Sequence, residues 1–354
     1  MNLDWSDEQA MLRASVARFL EREHGAGTLW AQFADLGWLA LPLPAAHGGF
    51  GATMVDVGLV MEGLGRARRV EPYLSTVVLA AGLIERVGTP EQQAQLLPKI
   101  AAGSLRIADA TAAPPAGARA PCAARREGGA WRLSGDLLAH DGPACDQLLT
   151  IAKLPEGGRG AFLLRRDAAG VEAQPFPTLD GRAACIIRLH DAAPAAWLGG
   201  APIADEAVAR AAGRAVAAAC AEAVGSIRYL VDGTVAYAKT RVQFGRPIGD
   251  NQVVKHRLVD MLVACEEARA ITLRALLLCE GDGGDVACAG ARLKVARCAS
   301  AVAEQAIQLH GAMGVTEELE VGHHVKRLLA FDMRLGTSRQ HLQRRIQAIA
   351  EAWP

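Results

Sequence analysis

The feature that most constrains the fold is a series of long helical segments in the second half of the chain. From Ile203 onward, Ala, Leu and Val recur at helical spacing in long segments that end near Lys239, Leu278 and His310. The sequence is 51% hydrophobic but only 5% aromatic, and this excess of small and aliphatic residues favours helix over sheet. Helices of this length and number predict a bundle.

Helical signals also occur near the beginning of the chain. Ser6 with Gln9, and Thr89 with Gln92, have the spacing of a capping box, in which each side chain bonds the backbone N–H of the other residue. Apolar residues at helical spacing follow both boxes. These signals predict a helical domain over residues 1–106.

Between the two helical regions the character of the sequence changes. The stretch TAAPPAGARAP at 111–121 breaks any helix, and short segments of β character follow it, among them AWRLSGD, DQLLTIAKL, GAFLLRRD and ACIIRLHD. Their shortness and close spacing exclude βαβ units. We therefore expect a mainly α chain with a small central β domain over residues 107–199 and a C-terminal helical bundle domain over residues 200–354.

Charge and cysteine content exclude several classes of function. Lys plus Arg equal Asp plus Glu at 38 each, so nucleic acid is not expected as a partner. The chain has no uncharged apolar run of about 18 residues, so no membrane span is expected, and its acidic N-terminus is not an export signal. The eight cysteines show no metal-binding spacing. These features predict a cytoplasmic protein with reduced thiols and no metal.

Four stretches carry a resemblance to a known family. They are LPLPAAHGGFGAT, GLGRARRVEPYLSTVVLAAG, YAKTRVQFGRPIGDNQVVKHRLVDM and QAIQLHGAMGVTEELEVGHHVKR. Together they resemble the acyl-CoA dehydrogenase family, and most closely its pimeloyl-CoA dehydrogenase small subunits. The resemblance implies a helical N-terminal domain, a β-barrel-like middle domain and a C-terminal four-helix bundle. It also implies FAD as cofactor, an acyl-CoA substrate, an electron-transfer flavoprotein as acceptor, and a dimer or tetramer.

The loop RVQFGRPIG is the first predicted cofactor element. Arg241 is a permanent cation whose planar set of donors suits a pyrophosphate. In the family this loop crosses a subunit contact to hold the FAD of a neighbour, which implies cofactor contacts for Arg241, Gln243 and Phe244, continued by Asn251 and Gln252. The alternative is a plain linker in which a turn and the following proline end the helix.

The second predicted cofactor element is AIQLHGAMGVT. The family places a glutamine and a glycine turn near the adenosine of FAD, which implies contacts for Gln308 and Gly311. Ala312 replaces the second glycine of the usual pair. Because glycine also ends helices on conformational grounds alone, bare helix termination is the alternative reading.

The strand that normally touches the flavin ring is altered. Matching Pro114 to the family's Thr-Glu-Pro segment leaves Ala112 and Ala113 in the Thr and Glu places. The following strand has Leu138 to Asp141 where the family has a segment with Trp and Thr. His140 or Asp141 can still bond a flavin edge, but the usual donor is missing.

The catalytic base is also missing. The family's reaction removes a weakly acidic proton next to a thioester carbonyl, and this step needs a positioned carboxylate. Most members have Glu-Gly-Thr where this chain has Leu335, Gly336 and Thr337, and the resemblance leaves a cofactor contact for Thr337. A minority place the glutamate on the facing helix, where the matching position falls at or near Ala215.

Two acids lie near these positions. Glu222 is two helical turns from Ala215, too far to reach the same carbon. Asp332 precedes Leu335 by three residues and is the weak candidate for a base. Its structural alternative is a salt bridge to Arg327 or Arg334.

Three hypotheses remain open. The first is a small, base-less subunit of a heteromeric FAD-dependent dehydrogenase, whose second subunit bears the catalytic Glu. The second is a self-sufficient homomer that uses Asp332 or another acid, and the third is a flavin-free scaffold protein. The identity of the acyl chain is not encoded in any motif, because scattered side chains set the length of the acyl tunnel.

Overall fold

The computed structural model describes residues 5–22, 28–112 and 121–352, and it is mainly helical, as predicted. The predicted match to Pro114 and Ala113 lies outside the described residues. The helices are α1 (Asp7–Arg22), α2 (Trp30–Asp35), α3 (Met54–Arg66), α4 (Ala81–Val87), α5 (Pro90–Ala101), α6 (Asp205–Thr240), α7 (Gln252–Leu278), α8 (Gly284–His310), α9 (Glu320–Phe331) and α10 (Ser338–Ala352).

Both predicted capping boxes are confirmed. The Ser6 and Gln9 side chains each bond the other residue's backbone N–H at 3.2 Å. At the start of α5, the N–H of Thr89 donates to Gln92 Oε1 at 3.0 Å, and the N–H of Gln92 donates to Thr89 Oγ1 at 3.3 Å. Within the helical region predicted over residues 1–106, Leu74–Ala80 is a π-helical segment that continues into α4.

The middle of the chain forms strands, as predicted. They are β1 (Ile107–Ala112), β2 (Ala123–Glu127), β3 (Ala130–His140), β4 (Gln147–Lys153), β5 (Arg159–Arg165), β6 (Val171–Pro177), β7 (Ala183–Ala192) and β8 (Ala196–Trp197). Within the described residues they build one mixed sheet in the order β6-β7-β3-β1-β4-β5-β8, with β2 beside β3. The sheet buries its own core, which includes Leu133, Leu148 and Phe162.

The chain folds into two compact units, each built from segments that are distant in sequence. The first comprises the described parts of Met1–Gly25, Met54–Arg69 and Val216–Pro354, and the second those of Ala26–Thr53 and Val70–Ala215. The element type changes near the predicted limits, since β1 begins at Ile107 and a 3₁₀ turn ends at Gly200. The division into three domains at 106 and 199 stays a prediction.

Within the first unit, α3 and α6 cross in close backbone contact. A Cβ atom added at Gly65 would lie 1.8 Å from the backbone oxygen of Glu222, and one added at Gly225 would lie 2.0 Å from that of Glu62. The hydroxyl of Ser226 donates to the carbonyl of Gly65 at 3.0 Å. Only glycine fits where two helix backbones approach this closely.

We expect Gly225→Ala to lower the free energy of unfolding by about 2–3 kcal/mol, because the new methyl group must push α3 and α6 apart. Gly233 lies in the same helix with nothing within 4 Å of an added Cβ, so Gly233→Ala is the matched control and should raise stability by about 0.5–1 kcal/mol. Urea unfolding followed by circular dichroism measures both. Equal shifts in the two variants would contradict the close crossing.

Candidate functional site

The loop after α6 is a β-hairpin rather than a plain linker. Its strands are β9 (Val242–Gln243) and β10 (Arg246–Pro247), which pair in antiparallel register. The two turn residues have positive φ, +52° at Phe244 and +79° at Gly245, and two consecutive positive φ values define a type I′ turn. Phenylalanine rarely adopts this conformation, and Phe244 is fully exposed to solvent. The hairpin therefore presents an aromatic ring outward at a conformational cost.

The base of the hairpin is tied to the helices on either side. The backbone N–H of Arg241 donates to Tyr237 at 2.8 Å, and the carbonyl of Arg241 accepts from Ile248 at 2.9 Å. The Asn251 side chain accepts from Arg246 at 2.9 Å and donates to the carbonyl of Ile248 at 3.0 Å. The Asn251 side chain thus stabilises the hairpin through these hydrogen bonds, and its cofactor contact stays a prediction.

The predicted cofactor residues Arg241, Gln243 and Gln252 have exposed side chains. No contact within the described chain occupies the fork of donors on Arg241. A guanidinium that stands free beside an exposed aromatic ring has the donor chemistry that a pyrophosphate requires.

The structure brings the end of α8 next to the hairpin's supporting helix. The rings of Tyr237 and His310 stack with centroids 4.3 Å apart, and His310 Nδ1 bonds the carbonyl of Ala306 at 2.8 Å. Gln308 is exposed, and Gly311 ends α8 with a φ of +62°. Both predicted cofactor elements therefore lie at the same end of the first unit.

The turn between α9 and α10 carries Leu335, at the position where the resemblance places a catalytic glutamate. Leu335 has a φ of +59°, which is unusual for a residue with a branched side chain. Thr337 caps α10: its N–H donates to Gln340 Oε1 at 2.8 Å, and its hydroxyl accepts from the Gln340 N–H at 3.4 Å. Thr337 is exposed, and its predicted cofactor contact stays a prediction.

Asp332 is held by partners that the sequence did not indicate. Its carboxylate accepts from Arg292 Nη1 at 3.4 Å and from the hydroxyl of Ser338. The expected partner Arg327 instead donates from Nη1 to Glu222 at 2.9 Å, in a salt bridge whose side chains are 3% and 9% exposed. Both acids near the expected base positions are therefore engaged by arginines.

The remaining candidates lie in the second unit. Ala215 is completely buried. Asp141 is buried with a φ of +61°, and its carboxylate accepts from the hydroxyl of Ser75 in the π-helical segment. His140 lies opposite Asp109 of β1 in the sheet. Asp141 thus has a structural partner already, and its predicted bond to a flavin stays a prediction, as does that of His140.

A small cavity of about 20 Å³ lies within the first unit, and none of the predicted site residues lines it. Its walls include Trp5, Leu59, Glu62, Arg269 and Thr272. Burial raises the pKa of the Glu62 carboxyl, although four arginines oppose this shift. The volume suits a water molecule rather than a substrate.

Sequence reasoning missed Arg292 and His341, both of which contact the Leu335 turn. A signal was present for Arg292, since it interrupts the apolar stripe of α8 between Cys288 and Val295. Among the described residues, no cluster of three His, Cys, Asp or Glu side chains is arranged to hold a metal ion. In the same ranges, no helix combines the length and apolar character needed to cross a membrane.

Comparison with known proteins decides the family. Residues 6–104 match the acyl-CoA dehydrogenase N-terminal domain, and residues 205–350 match the acyl-CoA dehydrogenase C-terminal domain. Acyl-CoA dehydrogenase FadE12 of Mycobacterium tuberculosis is 31% identical over an alignment that covers 89% of each chain. The chain belongs to the acyl-CoA dehydrogenase family. Acyl-CoA dehydrogenase IpdE2 of Mycolicibacterium smegmatis is 29% identical over 96% of this chain and 98% of its own.

Two solved structures of this family are especially similar. The ChsE4-ChsE5 complex from Mycobacterium tuberculosis contains a chain that is 26% identical, with a TM-score of 0.90 and complete coverage of both chains. A variant of the Tcur3481-Tcur3483 steroid acyl-CoA dehydrogenase contains a chain that is 28% identical, with a TM-score of 0.86 over 98% of each chain. Each of these structures pairs two differently named proteins.

Proposed function

We propose that this chain is the base-less subunit of a heteromeric, FAD-dependent acyl-CoA dehydrogenase. The family assignment supports oxidation of an acyl-CoA thioester, with an electron-transfer flavoprotein as acceptor in the cytoplasm. The similarity to ChsE4-ChsE5 and to Tcur3481-Tcur3483 supports pairing with a second, different subunit. In this arrangement the partner supplies the catalytic glutamate.

The observation that carries the proposal is the state of the acids near the expected base positions. Leu335 and the buried Ala215 occupy those positions, and Glu222 is committed to Arg327. Asp332 shares its carboxylate with Arg292 and Ser338. Both carboxylates already accept hydrogen bonds from arginine side chains, so neither stands free as a base for a substrate proton.

The residues of the hairpin fit the other half of the proposal. When bound, FAD supplies the hydride acceptor for the reaction. Arg241 would pair with the pyrophosphate, and Phe244 would pack against the nucleotide or its binding surface. Because both side chains point away from their own chain into solvent, a site shared with a neighbouring subunit explains their exposure better than a site within this chain.

The test is co-expression with a base-bearing acyl-CoA dehydrogenase subunit, followed by native mass and flavin measurement. We expect one FAD for each mixed pair. Arg241→Ala or Phe244→Ala should weaken FAD binding about 10-fold or more, the loss of one charge-assisted or stacking contact, without changing the mass of the assembly.

Phe50→Ala is the matched control, because Phe50 is also a largely exposed aromatic residue, at 68%, and is not part of the hairpin. It should leave the FAD content unchanged. A mixed assembly without flavin would favour the scaffold hypothesis. A homomer of this chain that binds FAD and oxidises an acyl-CoA would refute the proposal.

A further inference from the structure

Arg292 is a buried cation that grips the turn between α9 and α10. Its side chain is completely buried. Nη2 donates to the carbonyls of Phe331 and, at 3.4 Å, Gly336, and the guanidinium carbon lies 3.8 Å from the centre of the Phe331 ring. The salt bridge to Asp332 completes its contacts. A single side chain of α8 therefore binds both ends of the turn.

His341 holds the middle of the same turn from α10. It is 2% exposed, and its Nε2 lies 2.9 Å from the carbonyl oxygen of Leu335. Because a carbonyl oxygen only accepts hydrogen bonds, Nε2 carries the proton and Nδ1 keeps a lone pair. Among the described residues, Nδ1 of His341 and Nε of Arg292 are both buried without a hydrogen-bond partner. His341 Nδ1 is an acceptor and Arg292 Nε is a donor.

The backbone of the turn needs this support. Leu335 and Gly336 have consecutive positive φ values of +59° and +96°. Such a conformation at leucine costs about 1–3 kcal/mol and persists only where surrounding contacts impose it. The carbonyls of Phe331, Leu335 and Gly336 are all bound by Arg292 or His341. The shape of the turn is thus imposed by two side chains from outside it.

We propose that Arg292 and His341 are positioning residues, which hold residues 331–337 in the shape that presents Thr337 to the bound flavin nucleotide. The inference rests on the proposed function, because Thr337 contacts the cofactor only if the chain binds FAD. It assigns a role to the buried arginine and histidine, and it explains why a chain without the base keeps a costly backbone conformation at Leu335.

The charges around His341 make its support of the turn depend on pH. Burial is the main cause that lowers the pKa of His341, and the charges of Arg292 on α8 and Arg344 on α10 lower it further. The hydrogen bond to the Leu335 carbonyl and the charge of Asp332 raise the pKa but do not reverse the shift. The imidazole is therefore neutral near pH 7. Its contribution is complete above the ordinary histidine pKa and is lost as the pH falls to the lowered pKa of the folded protein, because a proton on Nδ1 adds a positive charge to the surroundings of Arg292.

The experiment measures two quantities on the mixed pair of subunits. Hydrogen–deuterium exchange reports the protection of residues 331–341, and flavin fluorescence reports FAD affinity. Arg292→Met should speed exchange in the turn and weaken FAD binding by about 10-fold, or roughly 1.4 kcal/mol. Arg292→Lys should have smaller effects on both the exchange of the turn and the FAD affinity, because lysine keeps the charge but not the planar fork of donors. Arg297→Met is the matched control, an exposed arginine on the same helix, and should change neither.

Substitutions at His341 separate positioning from packing. His341→Gln keeps a donor for the Leu335 carbonyl and cannot titrate in this range. It should bind FAD like the wild type at about pH 8 and should not weaken, as the wild type does, when the pH is lowered far enough to protonate His341. His341→Phe fills the space without a donor and should behave like Arg292→Met at both pH values.

Each outcome decides the inference. Faster exchange with unchanged FAD affinity would overturn it, because the two residues would then be merely structural. Unchanged exchange in Arg292→Met would also overturn it. Should Arg292→Met not fold, His341→Phe decides, because it removes the donor to the Leu335 carbonyl and leaves Arg292 in place. A turn as protected in His341→Phe as in the wild type is not held by His341. A mixed pair that binds no FAD would refute the proposed function, and the exchange data would still show whether the turn is held.

Discussion

Replacing Arg327 with Met is expected to lower the free energy of unfolding by about 3–5 kcal/mol, because it leaves the carboxylate of Glu222 buried without its cation. The two side chains are 3% and 9% exposed and lie 2.9 Å apart. Arg327 also donates to the carbonyls of Arg68 and Arg69, so the same change removes support from the segment after α3. Urea unfolding followed by circular dichroism measures the loss.

Two controls define this prediction. The double variant Glu222→Gln/Arg327→Met removes the uncompensated charge and should recover much of the lost stability. Glu320 lies in α9, as Arg327 does, but its side chain is 51% exposed in its salt bridge to Arg68. Glu320→Gln breaks this bridge and should lower the free energy of unfolding by no more than about 1 kcal/mol. If Arg327→Met cost no more than Glu320→Gln, the buried pair would not stabilise the fold.

Local signals made most of the helical fold predictable. The capping boxes at Ser6 and Thr89 mark helix starts in the sequence because they are bonds between residues three positions apart. Strand β6 gave no such signal. It is exposed along nearly its whole length and contains Pro175 and Pro177, which suit an edge strand but weaken any strand prediction. The grouping into two units depends on packing between distant segments, so no local pattern reveals it.

The sequence located the loops of the candidate site, but not the backbone conformations and long-range contacts within them. The resemblance located the hairpin around Phe244, yet a type I′ turn with phenylalanine at positive φ runs against local preference. Arg292 is 39 residues from Phe331 and 44 from Gly336 along the chain. Such long-range contacts cannot be read from spacing, and this is why the partner of Asp332 was not foreseen.

Catalysis by the mixed pair is expected to depend on an acid of the other subunit. Replacing the catalytic glutamate of the partner with Gln should lower kcat by about 10²–10⁴-fold, the contribution of a positioned general base. Asp332→Asn in this chain is the isosteric counterpart. It keeps an oxygen that accepts from Arg292 and Ser338 but removes the negative charge and the ability to take a proton. Because the proposed base lies in the partner, kcat should stay within about threefold of the wild type.

Flavin bleaching by substrate under anaerobic conditions gives the same comparison without an electron acceptor. The mixed pair with Asp332→Asn should bleach as the wild type does, whereas the pair without the partner's glutamate should not. Loss of bleaching in Asp332→Asn would instead make Asp332 the base and favour the self-sufficient enzyme. That outcome would require the carboxylate to release Arg292 and Ser338 in order to reach the substrate.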